Sequence, residues 1–270
     1  MSARVEARFA ALAAEGRKGL IPFITAGDPH PDWTVDVMHA LVAGGASLIE
    51  LGVPFSDPMA DGPVIQVASE RAIERGVSLA GVLDMVRRFR ADDAETPVIL
   101  MGYMNPVEKF GAGRLAEAAA EAGVDGFLLV DCPPEESPEL QQALAEHDID
   151  CIRLVAPTTT EERLAHICAA ARGFVYYVSF KGITGASRLD TSALAEPVAR
   201  IREHTDLPVA AGFGITGPET AVATASVTDA VVIGSALVKR LSDAPDAATA
   251  AERGQSFVAS VREALDNSQP

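Results

Sequence analysis

Short apolar runs recur along the chain, and each is followed by a longer, alanine-rich stretch of helical period. In the first half the runs cover residues 20–25, 47–51, 98–101 and 127–130; in the second, 151–155, 174–178, 209–211 and 230–233. They are nearly continuous in apolar character, as strands buried on both faces must be. Between them apolar positions cluster on one helical face, as in Val35, Met38, Leu41 and Val42, or Leu115, Ala118, Ala119 and Ala122. Eight such strand–helix units with no linker between them predict a parallel sheet closed into a (β/α)8 TIM barrel, one domain over 1–270. An open, doubly wound sheet with a dinucleotide site would place GxGxxG after the first strand, and the chain has Thr25-Ala26-Gly27-Asp28-Pro29 there. Val5, Phe9 and Leu12 share one face of an extra N-terminal helix within 1–16. Phe257, Val261 and Leu265 mark a further C-terminal helix over 247–265, and 266–270 is expected to be a disordered tail.

Composition narrows the class. Apolar residues make up 48% of the 270, enough to bury a core and exclude a disordered chain. No apolar run is long enough to span a bilayer. The formal charge of −16 argues against nucleic acid or an anionic membrane surface as a partner. Cys132, Cys151 and Cys168 have neither disulfide-framework nor zinc-site spacing, so the cytoplasm is the expected compartment. The five histidines are scattered without HxH or HExxH spacing, and no metal site is expected.

The barrel turns sequence positions into a map, because active sites of such barrels lie at the C-terminal ends of the strands. In the second strand Leu48 and Glu50 share one face while Ile49 and Leu51 share the other. With Ile49 and Leu51 against the outer helices, Glu50 points into the barrel near its upper rim. A buried carboxyl there is either satisfied by a neighbour or held at a raised pKa, which suits a general acid/base. The loop 52–63 carries three prolines, and its Asp61 is either a turn residue before Gly62 or the second carboxylate of an acid/base couple. Asp57, nearer the tip, is a cap or a partner contact. Glycine-rich loops follow strands six, seven and eight: Gly182 to Gly185, Gly212 to Ile215, and Gly234-Ser235 at a helix start. Such loops bring backbone N–H groups close to a ligand, and together they predict a phosphate-bearing substrate. In so acidic a chain, Gly185, Gly214 and Ser235 would hold that phosphate through their N–H groups rather than through a basic patch. Tyr103 and Tyr176 are candidate walls of an apolar pocket.

Several segments carry a family resemblance. They are Pro22-Phe23-Ile24-Thr25-Ala26-Gly27-Asp28-Pro29, the stretch from Ile49 through Glu50 and Asp61 to Pro63, and Leu100 to Pro106. Asp131-Cys132-Pro133-Pro134-Glu135-Glu136, Gly182 to Gly185 and Gly212 to Ile215 complete the set. With them the chain resembles the α subunit family of tryptophan synthase. The resemblance implies a lyase: retro-aldol cleavage of indole-3-glycerol phosphate to indole and glyceraldehyde 3-phosphate. Indole would pass to a β subunit that makes L-tryptophan, in an α2β2 tetramer. It implies that Glu50 is the acid/base and Asp61 the second catalytic carboxylate. Phe23, Leu128 and Tyr176 would surround the indole; Thr184, Gly185, Gly214, Gly234 and Ser235 would hold the phosphate end. Pro54, Asp57, Asn105, Asp131 and Pro133 would face the β subunit. Pyridoxal phosphate would belong to that partner, so no cofactor is expected in this chain. One departure is visible: some family members have Ser-Arg before a Gly-Val-Thr-Gly loop, where this chain has Ser179-Phe180-Lys181.

Other chemistries fit parts of the pattern. Lys181 could form a Schiff base as in an aldolase, and Glu50, Asp61 and Asp131 could hold Mg²⁺ for a metal-dependent lyase. A stand-alone indole-releasing lyase and a non-catalytic activator of a β subunit are further alternatives.

Overall fold

The computed structural model describes residues 1–178, 192–212 and 214–268. The strands are β1 (Gly19–Thr25), β2 (Ile49–Gly52), β3 (Val98–Gly102), β4 (Gly126–Leu129), β5 (Asp150–Val155), β6 (Val175–Tyr177), β7 (Val209–Ala211) and β8 (Ala230–Ile233). All neighbours pair in parallel and in chain order, and β8 returns to β1 to close the barrel. The eight expected runs match these strands with ends displaced by one or two residues. The second strand differs most. Its ladder begins at Ile49 rather than Ser47: there the Ser47 N–H donates to the Leu20 carbonyl at 2.7 Å, and the Ser47 hydroxyl accepts the Leu20 N–H at 3.0 Å in place of a main-chain carbonyl.

Helices surround the sheet: α1 (Ala3–Ala14), α2 (Thr34–Ala43), α3 (Pro63–Glu74), α4 (Leu79–Arg90), α5 (Met104–Phe110) and α6 (Ala112–Ala122). Then come α7 (Pro138–Glu146), α8 (Glu161–Ala170), α9 (Ser192–Arg202), α10 (Pro218–Ala225), α11 (Ser235–Leu241) and α12 (Ala247–Asn267). Among the described residues, no helix is long and apolar enough to cross a membrane.

Alternation along the strands divides the core in two. Leu20, Ile24, Ile49, Leu51, Val98 and Leu100 face outward and pack with the helices. Ile21, Leu48, Ile99, Leu128, Ile152, Phe174 and Val232 face inward and form a separate cluster with Val5, Phe9 and Leu12 of α1. The N-terminal helix therefore plugs the base of the barrel, with the Phe9 and Phe174 rings 5.7 Å apart. This plug leaves the opposite end for chemistry.

A buried ion cluster ties the plug down. The Asp125 side chain is 1% exposed and accepts from the Ser2 hydroxyl at 2.8 Å, Arg4 at 3.1 Å, Arg90 at 2.7 Å and the Val98 N–H at 2.9 Å. Removing one member of such a set leaves the others buried and uncompensated. Asp125→Ala is expected to lower the unfolding free energy by about 3–5 kcal/mol, read as a shift of the urea midpoint.

The expected tail needs correction at its start. Helix α12 continues to Asn267, and Asp266 is held by the side chains of Arg17 and Arg262, with Arg17 contacts of 3.0 and 3.1 Å. A polar sequence end gave no hint of these cations, one of them at the far end of the chain. Residues 269–270 lie outside the described residues.

Candidate active site

Strand β2 delivers Glu50 to the inner face of the upper rim, in register with Phe23 of β1 and Ile99 of β3. The residue is 5% exposed. Burial in these apolar surroundings pushes its carboxyl up to about 8, with the nearby charge of Asp61 a second cause. At neutral pH Glu50 is thus a protonated acid that can both give and retake a proton.

Asp61 closes the loop between β2 and α3. Burial raises its pKa too, but the Tyr103 hydroxyl donates to its Oδ2 at 2.9 Å and opposes the shift. The two carboxyls therefore differ: one is desolvated and without a hydrogen bond among the described residues, the other is half-buried and accepts a hydrogen bond that favours its charged form. Environments that separate two carboxyls in this way divide acid from anion.

Aromatic side chains wall the space between them. Phe23 lies across Gly52, where an added Cβ would stand 2.6 Å from the ring's Cζ, so only glycine fits at the end of β2. The same ring lies 3.5 Å from where a Cβ on Gly234 would be, which joins the Glu50 side of the rim to the β8 loop. The Tyr176 hydroxyl donates to the Gly212 carbonyl at 3.2 Å, and burial, Glu50 and Asp61 all push its pKa up. Leu128 lies below, in the inner cluster against which Tyr176 packs. Tyr103 is buried with its hydroxyl engaged on both sides, accepting from the Ala60 N–H at 3.1 Å as well as donating to Asp61. It is a support for Asp61 more than a bare apolar wall, and Phe55 stacks on its ring at 5.0 Å.

The glycine loops are only partly described. Gly214 is exposed at φ +71°, a left-handed turn that favours glycine, and Ser235 opens α11 on the surface just after Gly234. Thr184 and Gly185, with Lys181, lie outside the described residues. Of the expected partner-facing positions, Asp57, Asn105 and Asp131 are exposed, Pro133 is half-buried and Pro54 is buried in the chain itself. The Asp131 carboxylate accepts the Met104 N–H at 2.8 Å. Among the described residues, no group of three His, Cys, Asp or Glu side chains is arranged to hold a metal ion.

Two nearby residues escaped the sequence reading. Met59 is 83% exposed at the loop tip, and Gln66 reaches back from α3 to the Asp61 carbonyl at 2.8 Å. The signal for Gln66 was present: Gly62-Pro63 reads as a helix start, which puts residue 66 one turn in, above the preceding loop.

Comparison with known proteins gives one answer. The family model described as tryptophan synthase alpha chain matches residues 9–266. The tryptophan synthase alpha chain of Laribacter hongkongensis is 60% identical over 97% of this chain and 99% of its own length. That of Thioalkalivibrio sulfidiphilus is 58% identical over the same shares. Tryptophan synthase subunit alpha from Legionella pneumophila, a crystal structure, superposes with a TM-score of 0.91 at 43% identity over 99% of both chains. A chain of Mycobacterium tuberculosis tryptophan synthase gives 0.89 at 35% identity, over 98% of this chain and 99% of that one.

Proposed function

The chain belongs to the tryptophan synthase alpha chain family, and from that premise we propose that Glu50 and Asp61 divide the family's retro-aldol reaction between them. Indole-3-glycerol phosphate is cleaved between indole C3 and C1′ of the glycerol chain, giving indole and glyceraldehyde 3-phosphate. The bond breaks once C3 is protonated, because the ring then carries positive charge and can leave with the bonding electrons. Glu50, protonated at neutral pH, supplies that proton. Its carboxylate then takes the proton of the C1′ hydroxyl as the aldehyde forms, so the acid is regenerated and no proton is lost. Asp61, ionised, accepts a hydrogen bond from the ring N–H and stabilises the positive charge that develops there.

The observation that carries this reading is the unlike pair: a desolvated acid beside a hydrogen-bonded carboxylate on one rim. Phe23, Leu128 and Tyr176 bound the indole on this reading, and Tyr103 lines the site while holding Asp61. The phosphate lies toward Thr184, Gly185, Gly214, Gly234 and Ser235 and is held by backbone N–H groups. An alpha chain implies a beta chain partner; we assign it to the face bearing Asp57, Asn105, Asp131 and Pro133, with Pro54 shaping the loop from below, in an α2β2 tetramer. Pyridoxal phosphate belongs to that partner, and the cleavage described needs no cofactor in this chain. Three free cysteines fit the reducing cytoplasm.

The test is indole release from indole-3-glycerol phosphate, measured with and without a β subunit loaded with pyridoxal phosphate. Slow release by the chain alone and faster release in the complex are expected. No release in either case would leave a non-catalytic activator, and full turnover without β would mark a stand-alone lyase.

A smaller effect follows at Tyr103. Its hydrogen bond to Asp61 opposes the effect of burial, so Tyr103→Phe lets the Asp61 pKa rise further. The acid limb of kcat/KM is expected to move to higher pH, with a loss of less than about tenfold at neutral pH. An unmoved limb in the pH profile would contradict this.

A further inference from the structure

The loop that carries Asp61 has no regular ladder, and its last turn is held by side chains from two directions. Tyr103 takes the Ala60 N–H and the Asp61 carboxylate. Gln66, in the first turn of α3, approaches from the other side: its Nε2 donates to the Asp61 carbonyl at 2.8 Å and makes a longer contact of 3.4 Å to the Pro58 carbonyl. Its own backbone N–H donates to the Gly62 carbonyl at 3.0 Å. One residue thus holds two successive carbonyls, those of Asp61 and Gly62. Gly62 itself adds no side-chain contact to hold this turn, and even a Cβ there would touch nothing within 4 Å.

Helix α3 is itself well anchored. Arg71 makes a two-point ion pair with Asp28 after β1, at 2.7 and 2.9 Å, and Ala68 packs under Phe23 and Val238. A continuous path of strong contacts therefore runs from β1 through Asp28, Arg71 and α3 to Gln66 and the main chain of Asp61.

We propose that Gln66 is a positioning residue for Asp61, fixing the peptide from which the carboxylate projects so that it meets both Tyr103 and the substrate. The proposal rests on the reading of Asp61 as a catalytic carboxylate. Gln66 touches no reacting atom; it acts through the main chain of the residue that does. Small misplacements of such a group are costly, because the reacting geometry tolerates well under an ångström of error.

The test is Gln66→Met, which keeps the length of the side chain and removes its donors. The kcat for indole release is expected to fall about tenfold while KM changes by less than about threefold. A displaced Asp61 also loses part of its bond to Tyr103, so the acid limb of kcat moves to higher pH. A plain role at the helix start would lower stability and leave that limb in place. Should Gln66→Met fail to accumulate in folded form, Gln66→Asn carries the same expectation, since its amide is one methylene short of the carbonyl. A kcat within about twofold of the parent, or a fall with the acid limb unmoved, overturns the proposal. Asp61→Asn separates the two readings. If that variant keeps its activity, the catalytic assignment of Asp61 fails; if it is inactive while Gln66→Met is not impaired, the positioning role alone fails.

Discussion

Glu50→Gln is expected to reduce indole release by about 10³-fold or more and, at the same time, to make the chain more stable at alkaline pH. The first effect follows from the chemistry. An amide of the same shape neither protonates C3 nor takes the hydroxyl proton, so both proton transfers are lost together. The second effect follows from burial. In the fold the Glu50 carboxyl titrates at about 8, above the ordinary 4.5. Between those values the folded chain keeps a proton that the unfolded chain releases, so raising the pH favours unfolding. The penalty is absent below the unfolded value, grows through the window and levels off above about pH 8. Its size is of order a few kcal/mol, and an amide has no such penalty. Urea midpoints for the two proteins should therefore draw apart from mildly acidic to mildly alkaline pH, with the variant on top. Parallel profiles, or indole release within about tenfold of the parent, would contradict the assignment. The pairing of lost activity with gained stability separates a strained catalytic acid from a structural one, whose removal would lower both.

The barrel was readable because its strands are buried on both faces, which writes each of them as a short apolar run that needs no partner to be recognised. Alternation within one such run was enough to place Glu50, since Leu48, Ile49 and Leu51 left it a single inward direction. Asp61 was readable only as a choice. Before a glycine an aspartate suits a turn as well as a site, and its hydroxyl donor, Tyr103, comes from a different strand's end. Gln66 was missed for a related reason: its function lies in a carbonyl that its side chain reaches only after the helix has formed. The C-terminal end failed differently. Asp266 reads as part of a polar tail until Arg17 and Arg262 are folded beside it, and long-range ion pairs leave no periodic trace in a sequence. Local pattern thus carried the architecture and the position of one proposed catalytic group. Contacts between distant segments carried the rest.

Asp61→Asn tests the electrostatic half of the mechanism and is expected to lower kcat by about 10²–10³-fold, with a smaller change in KM. The substitution keeps the shape of the side chain and leaves an oxygen to accept from Tyr103, so the loop that Gln66 and Tyr103 hold has little reason to move. What it removes is the negative charge that the proposed mechanism sets opposite the indole nitrogen. The charge matters little in the ground state, where the ring is neutral, and most when C3 is protonated and the ring becomes cationic. An interaction that grows between substrate and transition state appears in kcat, which is why KM should change less. The pH profile gives an independent check. In the parent, activity is expected to fall on the acid side as Asp61 protonates, above the usual aspartate range because burial outweighs the Tyr103 bond. It is expected to fall on the alkaline side as Glu50 ionises, near pH 8. The variant should lose the acid limb and keep the alkaline one, shifted downward, because the Asp61 charge no longer helps hold the proton on Glu50. An acid limb that persists in Asp61→Asn would assign it to another group, and an unshifted alkaline limb would mean that the two carboxyls do not sense one another. Both outcomes can be read from the same set of rate measurements, and each bears on a different contact in the site.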